Sequence, residues 1–302
     1  MKILITDGIS ENGARLLQEA GHEVVQQKLS PEELLKEIGN YHALLVRSAT
    51  KVRQDAIDAG SQLKVIGRGG VGLDNIDVAY AKEKGIAVLN TPGASSISVA
   101  ELAIAHMFAI CRFVHISNVE MRQGAWPKKD YSKGMELTGK TLGLIGFGNI
   151  GQETAKRALG IGMTVIATDP FVKTTDMDVR LVSKDELLAQ ADVISLHIPF
   201  IKEHGPTITA AEFAKMKDGV LLVNCARGGV VVETDLVDAL NSGKVRAAGV
   251  DVFENEPVTD AQSELINHPR VSVTPHIGAS TAEGQARVGV EIAERVIEAL
   301  KS

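Results

Sequence analysis

Three side chains able to handle a carboxylate and a proton stand in separate motifs of the chain's second half. They are Arg227 in NCARGG, Glu256 in DVFENEP and His276 in TPHIGAS. Each follows an apolar run of the kind that forms a buried strand, and the carboxyl ends of strands in one parallel sheet face a common crevice. An arginine fork can hold a carboxylate and polarise the oxygen on the neighbouring carbon. An imidazole can take a hydroxyl proton. A carboxylate bonded to that imidazole fixes its tautomer and favours its charged form. Together the three fit the oxidation of a hydroxy acid, in which hydride leaves carbon while a proton leaves oxygen. Taken singly, each has a plainer use: a strand-end ion pair, a solvated turn carboxylate and a hydrogen-bonded core histidine.

Such chemistry needs a hydride acceptor, and the sequence TLGLIGFGNIG supplies a place for one. An apolar run ends in Gly146, Gly148 and Gly151, a helical stretch follows, and a second apolar run, MTVIATD, closes on Asp169. The first glycine permits a tight strand-to-helix turn, the second lets a pyrophosphate approach the backbone, and the third lets helix and strand pack closely. The helix N-terminus favours phosphate through its free N–H groups, and Asp169 can accept hydrogen bonds from ribose hydroxyls. Strand, turn, helix, strand and acid in this order point to dinucleotide binding. His197 and Pro199, in SLHIP at another strand end, read as part of the cofactor rim. An aspartate at position 169 selects NAD over its 2′-phosphorylated form.

Five other histidines, at 22, 42, 115, 204 and 268, stand in surface-like contexts and receive no role. Two cysteines, Cys111 and Cys225, are too few for a disulfide framework and lack metal-site spacing. No metal is expected, and a reducing cytoplasm is the expected location. A net charge of −6 argues against nucleic acid or an anionic membrane as the main partner. The N-terminus, MKILITDG, reads as a first strand and not as a leader. Residues 97–110 form the most apolar long segment, but Glu101 and His106 interrupt it and it is too short to span a bilayer. A helix buried on several faces, in part by a second copy of the chain, fits it better.

The elements that must position these residues fall into two alternating series. In the first half, strands are expected at 2–6, 43–46, 65–67 and 87–90, with helices at 12–20, 31–38 and 76–84. In the second, strands are expected at 142–146, 164–168, 193–198, 220–224, 248–252 and 271–274. Alternation of this kind implies parallel sheets covered by helices on both faces. The last helix, 282–300, has no sheet of its own to extend and is assigned back to the first series. The expected architecture is α/β, with two doubly wound parallel-sheet domains. A Rossmann-type NAD-binding domain, 96–282, is inserted into a flavodoxin-like substrate domain, 1–95 with 283–302. Crossings at 93–96 and 280–283 would form a hinge beside a cleft that closes over substrate.

With these motifs in this order, the sequence resembles the D-isomer-specific 2-hydroxyacid dehydrogenase family along essentially its whole length. The stretches LLVRSATKV, VIGRGGVGLDNID, VLNTPGAS and SVAELAIA are similar to members acting on 3-phosphoglycerate. The resemblance implies that Arg227, Glu256 and His276 are catalytic and that Asp251 meets the nicotinamide amide. It also implies cofactor contacts from Val71, Asn149, Ile150, Asp169, Ile198, Cys225, Ala226, Gly278 and Ala279. Substrate contacts implied in the same way are Arg47, Ser48 and the backbone of Gly69 and Gly70. Arg68 joins them on position, since 47 and 68 follow neighbouring strands and would reach the same sheet edge. The loop HIPFIKEHGPTIT departs from the threonine-rich spelling common in the family. Longer members continue into regulatory domains beyond the helix that ends this sequence, so inhibition by serine is not expected.

The activity expected is NAD-dependent oxidation of D-3-phosphoglycerate to 3-phosphohydroxypyruvate, in serine biosynthesis, by a homodimer. A reductase of glyoxylate, hydroxypyruvate or a similar unphosphorylated acid is the alternative enzyme. An NAD-binding corepressor or scaffold is the alternative of another class.

Overall fold

The structure, a computed structural model, describes residues 1–301. Ser302, the last residue of the expected 283–302 segment, lies outside the described residues. The chain forms two compact units, one of Met1–Ser96 with the segment from Ala279 onward, the other of Ile97–Gly278.

The first unit runs β1 (Lys2–Ile5), α1 (Glu11–Glu19), β2 (Glu23–Gln26), α2 (Pro31–Glu37), β3 (Ala43–Val46), α3 (Gln54–Ala59), β4 (Val65–Arg68), α4 (Val78–Glu83) and β5 (Ala87–Leu89). All its strands pair in parallel, in the order β2-β1-β3-β4-β5. This is the flavodoxin-like order, whose switch point lies between the first and third strands. Helix starts follow local chemistry. Ser10 accepts from Gly13 N, and Ser30 and Glu33 form a reciprocal box with Pro31 in the first turn. One face of the sheet packs Leu4, Leu44 and Ile66 against Leu34, Ile38 and Ile57. The last helix of the chain packs on the other face, where its Ile292 and Val296 meet Ile3, Leu45 and Val65.

The second unit begins with α5 (Ser96–Cys111) and α6 (Val114–Arg122). It continues through β6 (Thr141–Ile145), α7 (Asn149–Gly160), β7 (Thr164–Thr168), β8 (Val179–Leu181), α8 (Lys184–Gln190), β9 (Val193–Leu196) and α9 (Ala210–Lys215). It ends with β10 (Val220–Asn224), α10 (Glu233–Ser242), β11 (Val245–Val250), α11 (Ser263–Ile266) and β12 (Val271–Val273); α12 (Ala282–Lys301) then returns to the first unit. The seven strands are all parallel, in the order β12-β11-β10-β9-β6-β7-β8. The chain reverses its winding direction between β6 and β9, the place where open α/β sheets bind ligands. Two apolar layers cover the sheet, one with Leu187, Phe213 and Leu240, the other with Met107, Phe147 and Ala158.

Sequence reading places no element at β2, β8, α3 or α6 and sets no bounds for the helices α8 to α11. β2, β8 and α3 are short, and β2 buries none of its residues fully, so no apolar run marks it. Among the described residues no single helix is long and apolar enough to cross a membrane.

Candidate active site

The glycine loop joins β6 to α7 at the switch point of the second sheet. Gly146 has φ +95°, a left-handed conformation that disfavours a side chain, and a Cβ there would strike the His197 carbonyl on β9's exit. A Cβ on Gly151 would strike the Gly146 carbonyl, so helix and turn pack at backbone distance. Gly148 is the N-cap of α7, and no side chain caps it. Asn149 and Ile150 form its first turn. Asp169, after β7, accepts from Phe147 N at 2.8 Å, Phe171 N at 2.8 Å and Val172 N at 3.2 Å. Burial alone would raise its carboxyl, but these three N–H donors, helped by Lys173, hold it below the ordinary range. The result is a fixed negative charge beside a glycine loop that is open at Gly148, at the N-terminus of α7. These residues fit a dinucleotide.

Arg227, Glu256 and His276 lie on the loops leaving β10, β11 and β12. His276 Nδ1 bonds Glu256 Oε2 at 2.6 Å. Glu256 Oε1 accepts from Phe253 N at 3.0 Å, so both carboxylate oxygens are engaged. Burial works to raise the Glu256 carboxyl. The bonds from His276 and Phe253 N and the charge of Arg227 outweigh it and take the group below the usual carboxylate value. Because the carboxylate can only accept, Nδ1 carries the proton and Nε2 is the free acceptor nitrogen. Nε2 takes no hydrogen bond from the described residues, and the ring is exposed. Arg227 is half-buried and directs Nη1 to the Ala226 carbonyl at 2.7 Å, while Asn224 brackets the loop through Arg227 O and Ala226 N.

His276 itself has φ +53°, in the left-handed region. For a non-glycine residue this costs on the order of 1–3 kcal/mol and persists only where neighbours over-determine it. Here its N–H donates to Asp251 O at 2.8 Å and to Thr274 O at 3.1 Å. The next two N–H groups, Ile277 and Gly278, donate to the Asp251 carboxylate, both at 2.9 Å. Asp251 is wholly buried, and in this conformation its carboxylate serves the chain's own loop.

Two other candidates are set apart chemically. Burial drives the Cys225 thiol far upward, with the Asp251 charge adding to the shift, so Cys225 is no nucleophile. His197 pairs Nε2 with Ser195 Oγ at 3.0 Å, and its buried Nδ1 has no hydrogen-bond partner among the described residues. Burial pushes this imidazole down to about 4, so it is neutral at physiological pH. Ile198 and Pro199 follow it on the same strand exit, and Ala226 lies beside Cys225 at the exit of β10.

In the first unit, Arg47 and Arg68 leave neighbouring strands, with Val46 in register with Arg68. Arg47 N donates to Asp7 Oδ2 at 2.7 Å, and Asn75 Nδ2 donates to Arg47 O at 2.8 Å. Thr50 adds two further bonds to Asp7. The loop that presents Arg47 and Ser48 is therefore tied to Asp7 and Asn75, neither of which was assigned a role from the sequence. Gly69 N bonds Val46 O at 2.9 Å, and the Arg68 guanidinium lies against Gly70. Val71 O accepts from Asn90, which fixes the following loop. Ala279 opens the return segment, its carbonyl held by Gln285 Nε2 at 2.7 Å.

A Rossmann-type sheet with a glycine loop, a ribose-side acid and a histidine–carboxylate pair defines a dinucleotide-dependent dehydrogenase. Residues 104–278 match the family model described as "D-isomer specific 2-hydroxyacid dehydrogenase, NAD binding domain". The chain is 51% identical to the hydroxypyruvate reductase of Thermotoga maritima, over 99% of this chain and 98% of that protein. It is 45% identical to the D-3-phosphoglycerate dehydrogenase of Archaeoglobus fulgidus, over all of this chain but only 58% of that longer protein. The crystal structure of D-lactate dehydrogenase from Aquifex aeolicus, complexed with NAD and lactic acid, superposes with a TM-score of 0.86 at 31% identity. That alignment covers 99% of this chain and 95% of the other. The chain belongs to the D-isomer-specific 2-hydroxyacid dehydrogenase family, whose NAD-dependent enzymes interconvert 2-hydroxy and 2-oxo acids.

Proposed function

We propose that this enzyme oxidises D-3-phosphoglycerate with NAD, and reduces 3-phosphohydroxypyruvate in the reverse direction, as a homodimer. NAD, when bound, supplies the hydride acceptor, and the chain's own residues do the rest. Arg227 holds the substrate carboxylate and polarises the oxygen on the reacting carbon. His276 Nε2, unprotonated while Nδ1 is held by Glu256, receives the hydroxyl proton as hydride leaves the carbon. Glu256, kept ionised, stabilises the resulting imidazolium. In reduction the same proton returns to the carbonyl oxygen.

The observation that carries the substrate assignment is the pairing of Arg47 and Arg68 at one edge of the first sheet. Two arginines at that edge supply positive charge suited to a phosphate, the group that distinguishes this acid from its unphosphorylated relatives. Charge-assisted bonds to phosphate contribute about 1.5–3 kcal/mol each. Arg47→Ala is therefore expected to raise the KM for 3-phosphoglycerate by roughly ten- to a hundredfold, while D-glycerate turnover changes much less. An equal effect on both acids would remove Arg47 from phosphate binding.

A second reading, reduction of unphosphorylated hydroxypyruvate or glyoxylate, has its own support in the 51% identity to the Thermotoga hydroxypyruvate reductase. The two readings share every residue of the proton and hydride chemistry and part only at the phosphate.

A further inference from the structure

Helix α5 is mostly apolar, yet it buries a histidine, His106, in its packed face. Its ring bonds Ser272 Oγ through Nδ1 at 3.1 Å and Thr274 Oγ1 through Nε2 at 3.0 Å. Thr274 Oγ1 in turn donates to Asp251 Oδ1 at 2.6 Å. A hydroxyl has one proton, so with that proton on Asp251 it accepts from His106 Nε2–H. Nδ1 is then the acceptor for the Ser272 hydroxyl. The chain of bonds runs His106, Thr274, Asp251, and ends on the N–H groups of Ile277 and Gly278, beside left-handed His276.

Strand β11 makes room for this arrangement. A Cβ on Gly249 would lie 2.5 Å from His106 Cβ and 2.9 Å from its Cγ, so the imidazole sits where only a glycine leaves space. An apolar side chain in α5 would fill the same layer without needing hydrogen-bond partners. A buried polar ring, with both nitrogens satisfied by residues that flank the catalytic loop, is costly to replace and specific in direction. Burial, partly opposed by Asp251, lowers the affinity of this imidazole for a second proton and keeps it neutral.

We propose that His106 is a positioning residue for the reaction: through Thr274 it fixes the Asp251 carboxylate, and through Asp251 the backbone that holds His276 in its left-handed conformation. The assignment rests on the reading of His276 as the proton carrier. It predicts that the chemical step depends on the two hydroxyl–imidazole bonds separately from the packing of α5.

Five single variants and one double variant test this on the intact enzyme, with NAD and whichever acid the wild type turns over fastest. Asn at position 106 mimics Nδ1 and keeps only the Ser272 contact, whereas Gln mimics Nε2 and keeps the contact to Thr274. We expect His106→Asn and Thr274→Val each to lower kcat about tenfold, the rate equivalent of one lost hydrogen bond, with the KM for NAD little changed. His106→Gln and Thr274→Ser should stay within about threefold of wild type. The double variant His106→Asn/Thr274→Val should lose no more than either single, because both break one chain. Wild-type turnover in His106→Asn, equal losses in the Asn and Gln variants, or multiplying losses in the double variant would overturn the proposal. His276→Asn separates the two levels: if it is inactive while those results occur, only the positioning role fails. If it turns over normally, the proton-carrier reading fails.

Discussion

The charge at Asp169 gives the sharpest prediction for the cofactor. Its two oxygens accept three backbone N–H groups, which keeps the carboxylate ionised and rigid at the end of β7. A 2′-phosphate on the ribose beside it places two anions about 4 Å apart, which costs roughly 1 kcal/mol at the dielectric of water and 4 kcal/mol at that of a protein surface. At 1.36 kcal/mol per decade, NAD should exceed NADP in kcat/KM by between about fivefold and a thousandfold. The ammonium of Lys173, whose Nζ donates to the Pro170 carbonyl at 2.6 Å, keeps its charge and offsets part of this, which places the gap toward the lower end of that range. The assay is initial-rate oxidation with each cofactor at fixed ionic strength, repeated at low salt, where weaker screening should widen the gap. Asp169→Asn removes the charge but also sets an amide N–H against at least one backbone donor. The gap between the cofactors should therefore shrink while efficiency with NAD also falls. Equal efficiency with NADP in the wild type, or an unchanged gap in Asp169→Asn, would refute the reasoning.

His276→Asn should cut kcat by roughly 10²–10⁴-fold, the range for a general acid–base group, and leave NAD binding measured by fluorescence titration nearly intact. Glu256 has a lowered pKa in the folded protein, so its pairing with His276 is present above the ordinary carboxylate range and lost as pH falls through the lowered value. Glu256→Gln replaces an acceptor-only carboxylate by an amide that no longer fixes the Nδ1–H tautomer of His276, so kcat for oxidation should fall by about tenfold; an unchanged kcat would contradict its role. Phe108, Val114, Val119, Met121 and Trp126 are exposed along and just beyond α5 and α6. A twofold dimer covering that surface is expected from light scattering, and a monomer at all working concentrations would contradict it.

Much of this was legible in the sequence because the decisive residues sit at strand ends and buried strands announce themselves. β3, β9 and β10 are buried at every position and read directly as apolar runs. Arg227 and the Glu256–His276 pair follow such runs, so their positions in the chain predicted their place in the sheet. Edge strands behave differently: β2 has exposed ends around two half-buried valines and carries no such run. The supports of the site were hidden for another reason. Asp7 and Asn75 hold the Arg47 loop across 40 and 28 residues of sequence, and His106 meets Thr274 across 168. In the sequence His106 is only a polar interruption in an apolar helix. Its partners, and so its meaning, exist only once α5 lies over β11.

The most direct test of the substrate assignment is a comparison of kcat/KM for 3-phosphoglycerate, D-glycerate and D-lactate with NAD on the wild-type enzyme. Arginines at 47 and 68 predict a clear preference for the phosphorylated acid, on the order of tenfold or more from one charge-assisted contact alone. Preference for D-glycerate or D-lactate would contradict it and assign the enzyme to the unphosphorylated acids.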